Sequence, residues 1–166
     1  MVIKMEEKFI EDKMFELAKL IDYVPVDISF LKNAMHCQII HKPGDGKNRR
    51  NYTNDSLATL GDAVLKLILT DYLFDEGMDK AEITKIKQTI ENNDKLFGLR
   101  NESNILCYAY NDVYFFDEAP QENKVAHTKH EKYIEAIIAA IYKDKGFAYC
   151  KDWVIEFFTK NNYLTD

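Results

Sequence analysis

Two acidic side chains stand out because each occurs within an apolar, helix-forming stretch. Asp62 lies in the run from Leu57 to Leu65, and Glu135 lies in the run from Tyr133 to Tyr142. An ionised carboxylate among core-facing residues is costly unless a cation or hydrogen-bond donors compensate it. Mg²⁺ takes oxygen ligands, usually one or two carboxylates together with waters and substrate phosphates. If the two helices pack together, Asp62 and Glu135 are candidate ligands of one divalent ion that serves phosphodiester hydrolysis.

Two further acids fall on the same helical faces as this pair. Asp55 precedes Asp62 by two helical turns, and Glu131 precedes Glu135 by one. Both are second-rank catalytic candidates for orienting a water. A purely structural interpretation stays open, in which Asp62 bonds to the backbone and Glu135 pairs with Lys66 or Lys132.

Basic residues lie just before each acidic run. Their positions predict contacts with the phosphates of a nucleic acid, although surface lysines and arginines are often merely solvated. His127 and His130 lack a compatible third metal ligand nearby in sequence, so a histidine metal site is not expected. The residues predicted to contact phosphate are Lys47, Arg49, Arg50, Lys129 and Lys132.

Composition limits the classes of protein to be considered. The 166 residues are 46% hydrophobic and 13% aromatic, which is typical of one folded domain over residues 1–166. The net charge of −6 excludes a generic basic nucleic-acid coat, so binding of a polyanion must depend on local patches or metal ions. Three widely separated cysteines, a charged start and the lack of a long apolar run predict a cytoplasmic protein with reduced thiols and no membrane partner.

The elements that must position these residues are helical throughout. Apolar residues recur at three- and four-residue steps, strand alternation is nowhere sustained, and Gly146 is suited to end a helix. We therefore predict an all-α fold, with an irregular stretch at 106–125 that includes a short extended piece at 113–116. The predicted helices span 6–21, 28–39, 54–74, 82–92, 94–102, 128–145 and 148–160.

Several segments in order resemble the ribonuclease III catalytic domain. Leu57-x-x-Leu60-Gly61-Asp62-Ala63-Val64-Leu65 is similar to that family's Leu-Glu-Phe-Leu-Gly-Asp-Ala-Val-Leu signature, and Glu135 to Tyr142 resembles its later Glu-Ala-Leu-Ile-Gly-Ala-Ile-Tyr. Leu31 to His36 is similar to a Leu-x-x-Ala-Leu-Thr-His segment, and Lys87 to Leu96 to a helix with a Val-Ser-Asn-x-x-Leu pattern. The resemblance covers residues 23–158.

The resemblance implies a ribonuclease III-like helical fold and a function. The expected activity is endonucleolytic hydrolysis of double-stranded or structured RNA in RNA processing, with Mg²⁺, or Mn²⁺ in its place, as cofactor. A homodimer would place two sites on one duplex, each cutting one strand to leave a 3′-hydroxyl and a 5′-phosphate. Asp62 and Glu135 then hold the ion.

The chain departs from the larger family at three positions. Ala58 and Lys132 stand where the family usually has Glu and Asp, and Thr59 stands where it has an aromatic dimer contact. Mini-III ribonucleases are similar to this chain in having a small residue at the Ala58 position, in keeping only the Asp and Glu of the two motifs, and in lacking a double-stranded-RNA-binding domain. No such domain is expected here. Lys132 could pair with an acid of the site or contact RNA phosphate.

Two other interpretations remain. The altered acids could leave a catalytically impaired, ribonuclease III-like module that binds RNA or another protein. More remotely, the chain could be an unrelated helical domain whose acids are structural.

Overall fold

A computed structural model describes residues 4–36, 40, 54–124 and 132–164, and within them the secondary structure is helical. Three short 3₁₀ turns occupy the segment between the fifth and sixth helices, which was predicted to be irregular. The all-α prediction is confirmed. The helices are α1 (Glu7–Leu20), α2 (Ser29–Met35), α3 (Asn54–Asp75), α4 (Lys80–Ile90), α5 (Asn93–Glu102), α6 (Tyr133–Lys145) and α7 (Phe147–Lys160).

Helix α6 forms the centre of the core. Its residues from Ile134 to Ile141 are completely buried apart from Glu135, because α2, α3 and α7 all pack against it. A helix that is apolar on every side must be covered on every side. Glu135 is the exception, since its side chain is only partly buried. The core therefore presents one carboxylate at the start of its central helix.

Helix α3 makes the most extensive contact with α6 and carries the other acids. Its buried face repeats at helical spacing, whereas Asp55 and Asp62 are partly exposed. The packing of α3 on α6 brings together two motifs that are about seventy residues apart in the chain. The buried face of α3 comprises Asn54, Ala58, Gly61, Val64, Leu65, Ile68, Leu69 and Leu73.

Local sequence signals fix several helix ends. Asp79 and Glu82 form a reciprocal capping box, in which each backbone N–H donates to the other residue's carboxylate at 2.9 Å. This box starts α4 two residues earlier than predicted. Gly146, at φ +88°, ends α6 as predicted, because glycine adopts this left-handed conformation without a Cβ clash.

Three predicted elements differ from the structure. The α6 helix was predicted to begin at residue 128 but begins at Tyr133, where its apolar face starts, and Lys132 is the N-cap. Lys132 bonds to Asp55 of α3, and residues 128–131 lie outside the described part of the chain. Helix α2 ends at Met35, before residue 39, because the Met35 carbonyl accepts a hydrogen bond from Tyr110 N–H at 3.0 Å and His36 bridges the same strand-like residue. The extended piece at 113–116 is limited to an isolated bridge between Tyr110 and Phe115.

Helix α7 closes the core through Trp153. The indole N–H of Trp153 donates to the Ile21 carbonyl at 2.8 Å, and the ring stacks on Phe157 with centroids 4.7 Å apart. Cys107 and Cys150 are free thiols, and Cys37 lies outside the described residues. Across the described part of the chain, no helix combines the length and the apolarity needed to span a bilayer.

Candidate metal centre

The candidate centre is built on a direct contact between the backbones of α3 and α6. Gly61 lies so close to Glu135 that a Cβ atom built on it would stand 1.6 Å from the Glu135 carbonyl oxygen. Real Cβ atoms do not approach an oxygen this closely, so only glycine fits at this crossing. The residue after Gly61 is Asp62. The two predicted ligands, Asp62 and Glu135, are therefore carried by backbone segments that touch.

A lysine on α3 occupies the space beside Asp62. The ammonium of Lys66, one helical turn further on, donates to the Asp62 Oδ2 at 2.9 Å. Both side chains are close to half exposed. The hydrogen bond and charge of Asp62 raise the pKa of Lys66, and the charges of Glu91 and Glu135 add to this effect. Three carboxylates thus act on one ammonium.

The third of these carboxylates, Glu91, was not predicted as a site residue. It follows the last residue of α4, and its Oε1 is buried without a hydrogen-bond partner. Burial raises the pKa of Glu91 and the charge of Asp62 raises it further, whereas Lys87 and Lys66 act in the opposite direction. A buried acceptor with no donor is costly, so this oxygen is disposed to receive a cation or a donor.

Asp55 and Lys132 form a second ion pair at the edge of the centre. The Lys132 ammonium donates to the Asp55 Oδ1 at 2.8 Å, which joins the first turn of α3 to the N-cap of α6. The Lys132 side chain is 45% exposed and the Asp55 side chain 37%. Lys132 therefore pairs with an acid of the candidate site, one of the two possibilities that the sequence left open. The stripe of Asp55, Ala58 and Asp62 is present, with Ala58 buried between the two acids.

Several predicted site residues lie outside the described part of the chain. The helix that was expected to carry both Glu131 and Glu135 begins only at Tyr133. The predicted residues outside the described ranges are Glu131, Lys47, Arg49, Arg50 and Lys129.

The donor set fits a hard divalent cation with few protein ligands. Within residues 4–36, 40, 54–124 and 132–164, no three side chains of His, Cys, Asp or Glu are arranged to hold a metal ion by themselves. The centre offers the carboxylates of Asp62 and Glu135, with a lysine ammonium as a cation already among them. Mg²⁺ is commonly bound through one or two carboxylates, with water and phosphate oxygens completing its shell.

Comparison with known proteins identifies the family of this chain. The ribonuclease III domain matches residues 55–146, which is more than half of the chain. The chain belongs to the ribonuclease III family. The match begins at Asp55 and ends at Gly146, so it includes α6, all of α3 except its first residue, and every carboxylate of the candidate centre.

Curated relatives and solved structures agree with this assignment. The chain is 25% identical over 148 residues to ribonuclease 3 of Flavobacterium psychrophilum, covering 87% of this chain and 56% of that protein. It is 29% identical over 154 residues to ribonuclease 3 of Clostridium tetani, covering 92% and 62%. The chain thus spans about three-fifths of the length of these relatives. A crystal structure of the nuclease domain of ribonuclease III from Campylobacter jejuni matches with a TM-score of 0.65 and 25% identity, over 93% of this chain and 97% of that one.

A second structure of the same Campylobacter jejuni nuclease domain confirms the fold. It matches with a TM-score of 0.69 and 23% identity, over 92% of this chain and 99% of that one. That structure is described as showing flexibility in a region involved in dimer formation. With the family established, Glu91 can also be placed, because it stands where the Val-Ser-Asn-x-x-Leu pattern has Val. A carboxylate at an apolar pattern position is the signal by which the sequence could have revealed Glu91.

Proposed function

We propose that this ribonuclease III-family chain is an endoribonuclease that hydrolyses phosphodiester bonds of double-stranded or structured RNA in cytoplasmic RNA processing. The observation that supports the proposal is the contact of Gly61 with the Glu135 backbone, because Asp62 is the next residue after Gly61. The family assignment supports the reaction class.

In this proposal Asp62 and Glu135 hold Mg²⁺, or Mn²⁺ in its place. The bound ion supplies activation of a water and stabilisation of charge on the phosphodiester. Asp55 and Glu131 are the proposed water-orienting residues. Asp55 also holds the half-exposed Lys132 ammonium at the edge of the site, where it can meet an RNA phosphate.

The remaining proposed RNA contacts come from charge around the site. Double-stranded RNA is recognised mainly by its shape and by contacts to its backbone. Lysine and arginine side chains at the edges of the centre can make such contacts with the phosphates. Because the net charge of the whole chain is −6, these contacts must come from local clusters of positive charge. The residues proposed to bind RNA are Lys47, Arg49, Arg50, Lys129 and Lys132.

The test is cleavage of an end-labelled RNA duplex with Mg²⁺. We expect Asp62→Asn and Glu135→Gln each to lower the single-turnover rate at least ~100-fold, since each removes charge at the reacting centre. Asp152→Asn is the control, because it removes an exposed carboxylate of α7 that lies outside both the centre and α3. Wild-type protein that leaves the duplex intact at high excess contradicts the enzymatic proposal. An Asp62→Asn variant that cuts as fast as wild type contradicts the site assignment.

We also propose that two copies act together as a homodimer through the exposed face of α3. Leu67 and Phe74 lie two turns apart on this face and are 57% and 70% exposed. Thr59 is exposed and its hydroxyl donates to the Asp55 carbonyl, so it offers no aromatic contact. Sedimentation velocity should show a dimer that the Leu67→Glu, Phe74→Glu variant converts to a monomer. Val26→Glu, at a 79% exposed residue outside α3, should leave the dimer intact.

One observation favours a second candidate function. The pairing of Lys132 with Asp55 places an ammonium beside the centre at a position where the family usually has an acid. A catalytically impaired module that binds duplex RNA or a protein would retain such a pair without needing a metal. Binding without cleavage would identify it: a gel shift of the RNA duplex in Ca²⁺, together with an uncut duplex in Mg²⁺. If the protein neither shifts nor cuts the duplex, RNA binding is excluded as well.

A further inference from the structure

The side chain of Lys66 is the unexplained component of the candidate centre. It contributes nothing to the core, since it is about half exposed, yet its ammonium lies 2.9 Å from the Asp62 Oδ2. An ion bound by Asp62 would have to share that carboxylate with Lys66. Two cations cannot both approach one carboxylate oxygen closely without strong repulsion, because water screens them poorly at contact distance.

The surroundings of Lys66 explain why the ammonium rests there. Asp62, Glu91 and Glu135 come from three different helices or helix ends, and all three act electrostatically on Lys66. Without a counter-ion, three carboxylates in one region repel one another. The tethered ammonium neutralises part of that charge and is linked to α3 by a flexible four-carbon stem.

The same surroundings provide a place to which the ammonium can move. The Glu91 Oε1 is buried and lacks a donor, and Glu91 and Lys66 are close enough for each charge to affect the other's pKa. Rotation about the stem of Lys66 can carry the ammonium away from Asp62 while it stays within electrostatic range of Glu91. Such rotamer changes in exposed side chains are fast.

We propose that Lys66 is a built-in competitor of the divalent ion: its ammonium is bonded to Asp62 in the metal-free protein and is displaced from that carboxylate when the ion binds. Lys66 thereby weakens the affinity of the centre and sets the concentration of divalent ion at which the centre fills. This inference rests on the proposed function, because it takes Asp62 and Glu135 as the ligands of that ion.

A simpler role for Lys66 predicts a different result. Asp62 and Lys66 are an i, i+4 pair, and such pairs modestly stabilise helices. A pair with only that role would leave metal affinity unchanged when it is removed, or would weaken it through loss of order at Asp62. Competition alone predicts tighter binding.

The experiment measures Mn²⁺ binding directly, through the electron paramagnetic resonance signal of the free ion, on the whole chain without RNA. Lys66→Met should bind Mn²⁺ at least ~5-fold more tightly than wild type, because the ion no longer breaks a salt bridge of about 1 kcal/mol. Lys66→Arg, which keeps the charge, should not bind more tightly than wild type. The control is Lys151→Met. It removes an ammonium of α7 that pairs with Asp71 and Asp75 of α3, and it should change the affinity for Mn²⁺ less than ~2-fold.

The possible failures are distinguishable. If Lys66→Met binds no more tightly than wild type, while Asp62→Asn abolishes binding in both backgrounds, the competition is refuted and the metal site stands. If neither wild type nor Lys66→Met binds Mn²⁺, both the competition and the proposed metal site are refuted. Mg²⁺ added at increasing concentration should release the bound Mn²⁺ from the same site.

Discussion

Substitution of Gly61 by alanine tests the contact on which the candidate centre depends. The added Cβ would lie 1.6 Å from the Glu135 carbonyl oxygen, 2.4 Å from its carbonyl carbon and 3.0 Å from its Cα. All three atoms belong to the backbone, so no side-chain rotation can make room. An ordinary contact is near 3.5 Å, so α3 and α6 would have to separate locally by about 2 Å.

The expected loss of stability follows from two opposing effects. Overpacking of a tight core costs about 1–3 kcal/mol, and separation of α3 from α6 also weakens the largest helix contact in the described residues. Alanine returns about 1 kcal/mol through its higher helix propensity. We expect a net loss of about 2 kcal/mol, which corresponds to a decrease of about 4–8 °C in Tm for a chain of this size. Urea denaturation and thermal melting measure it.

The same variant should also lose function more than stability alone explains. Asp62 is adjacent to Gly61 and Glu135 is the residue that moves, so the two carboxylates are displaced relative to each other. A displacement of about 1 Å at a reacting centre can cost ~100-fold in rate. The cleavage rate should therefore fall by about that factor at a temperature where the variant is fully folded.

Gly98→Ala is the matched control for this prediction. Gly98 also lies within a helix, but a Cβ there would meet only the hydroxyl end of the Tyr163 side chain, at 3.1 Å. That side chain can yield, so the variant should be neutral or up to about 1 kcal/mol more stable. If Gly61→Ala has the same Tm as Gly98→Ala and cuts RNA at the wild-type rate, the close approach of α3 to α6 is refuted.

Three further predictions concern stability. The Lys132–Asp55 pair is about half exposed, so a double-mutant cycle with Lys132→Met and Asp55→Asn should give a coupling below about 1 kcal/mol in urea denaturation; a coupling above about 2 kcal/mol would contradict this. Because burial raises the pKa of Glu91 above its unfolded value, its contribution to stability is fully present below the unfolded pKa and is lost as pH rises through the folded pKa. After allowance for solvent screening, Glu91→Gln should thus melt about 1–2 °C above wild type at pH 7 and at the wild-type temperature near pH 4. An equal gain at both pH values would exclude ionisation of Glu91 as the cause. Trp153→Phe should lower the free energy of unfolding by about 2 kcal/mol, because it leaves the buried Ile21 carbonyl without its donor, and a loss under about 0.5 kcal/mol would show that this bond is not needed.

The sequence by itself determined the helices, the two principal acids and the family. Helix formation depends on residues three and four positions apart, so periodicity placed α3 and α5 within one or two residues of their observed bounds. The predicted helix ends are wrong where tertiary contacts override the local pattern. Helix α2 ends early because the Met35 carbonyl accepts a hydrogen bond from Tyr110 N–H, and α6 begins at Tyr133, after the N-cap Lys132 that bonds to Asp55. The capping box of Asp79 and Glu82, rather than apolar periodicity, sets the start of α4.

Only the tertiary structure decided which charges meet. Lys132 pairs with an acid 77 positions earlier in the chain, and no spacing rule relates the two. Glu91 joins the centre because α4 ends beside α3, and Lys66 becomes the shared cation because acids from α3, α4 and α6 converge on it. Electrostatic interactions depend on distance in space and on solvent exposure, which a sequence does not give. The sequence thus singled out Gly61-Asp62 and Glu135 by type, while the packing of α3 on α6 determined that their backbones touch and which ammonium lies beside Asp62.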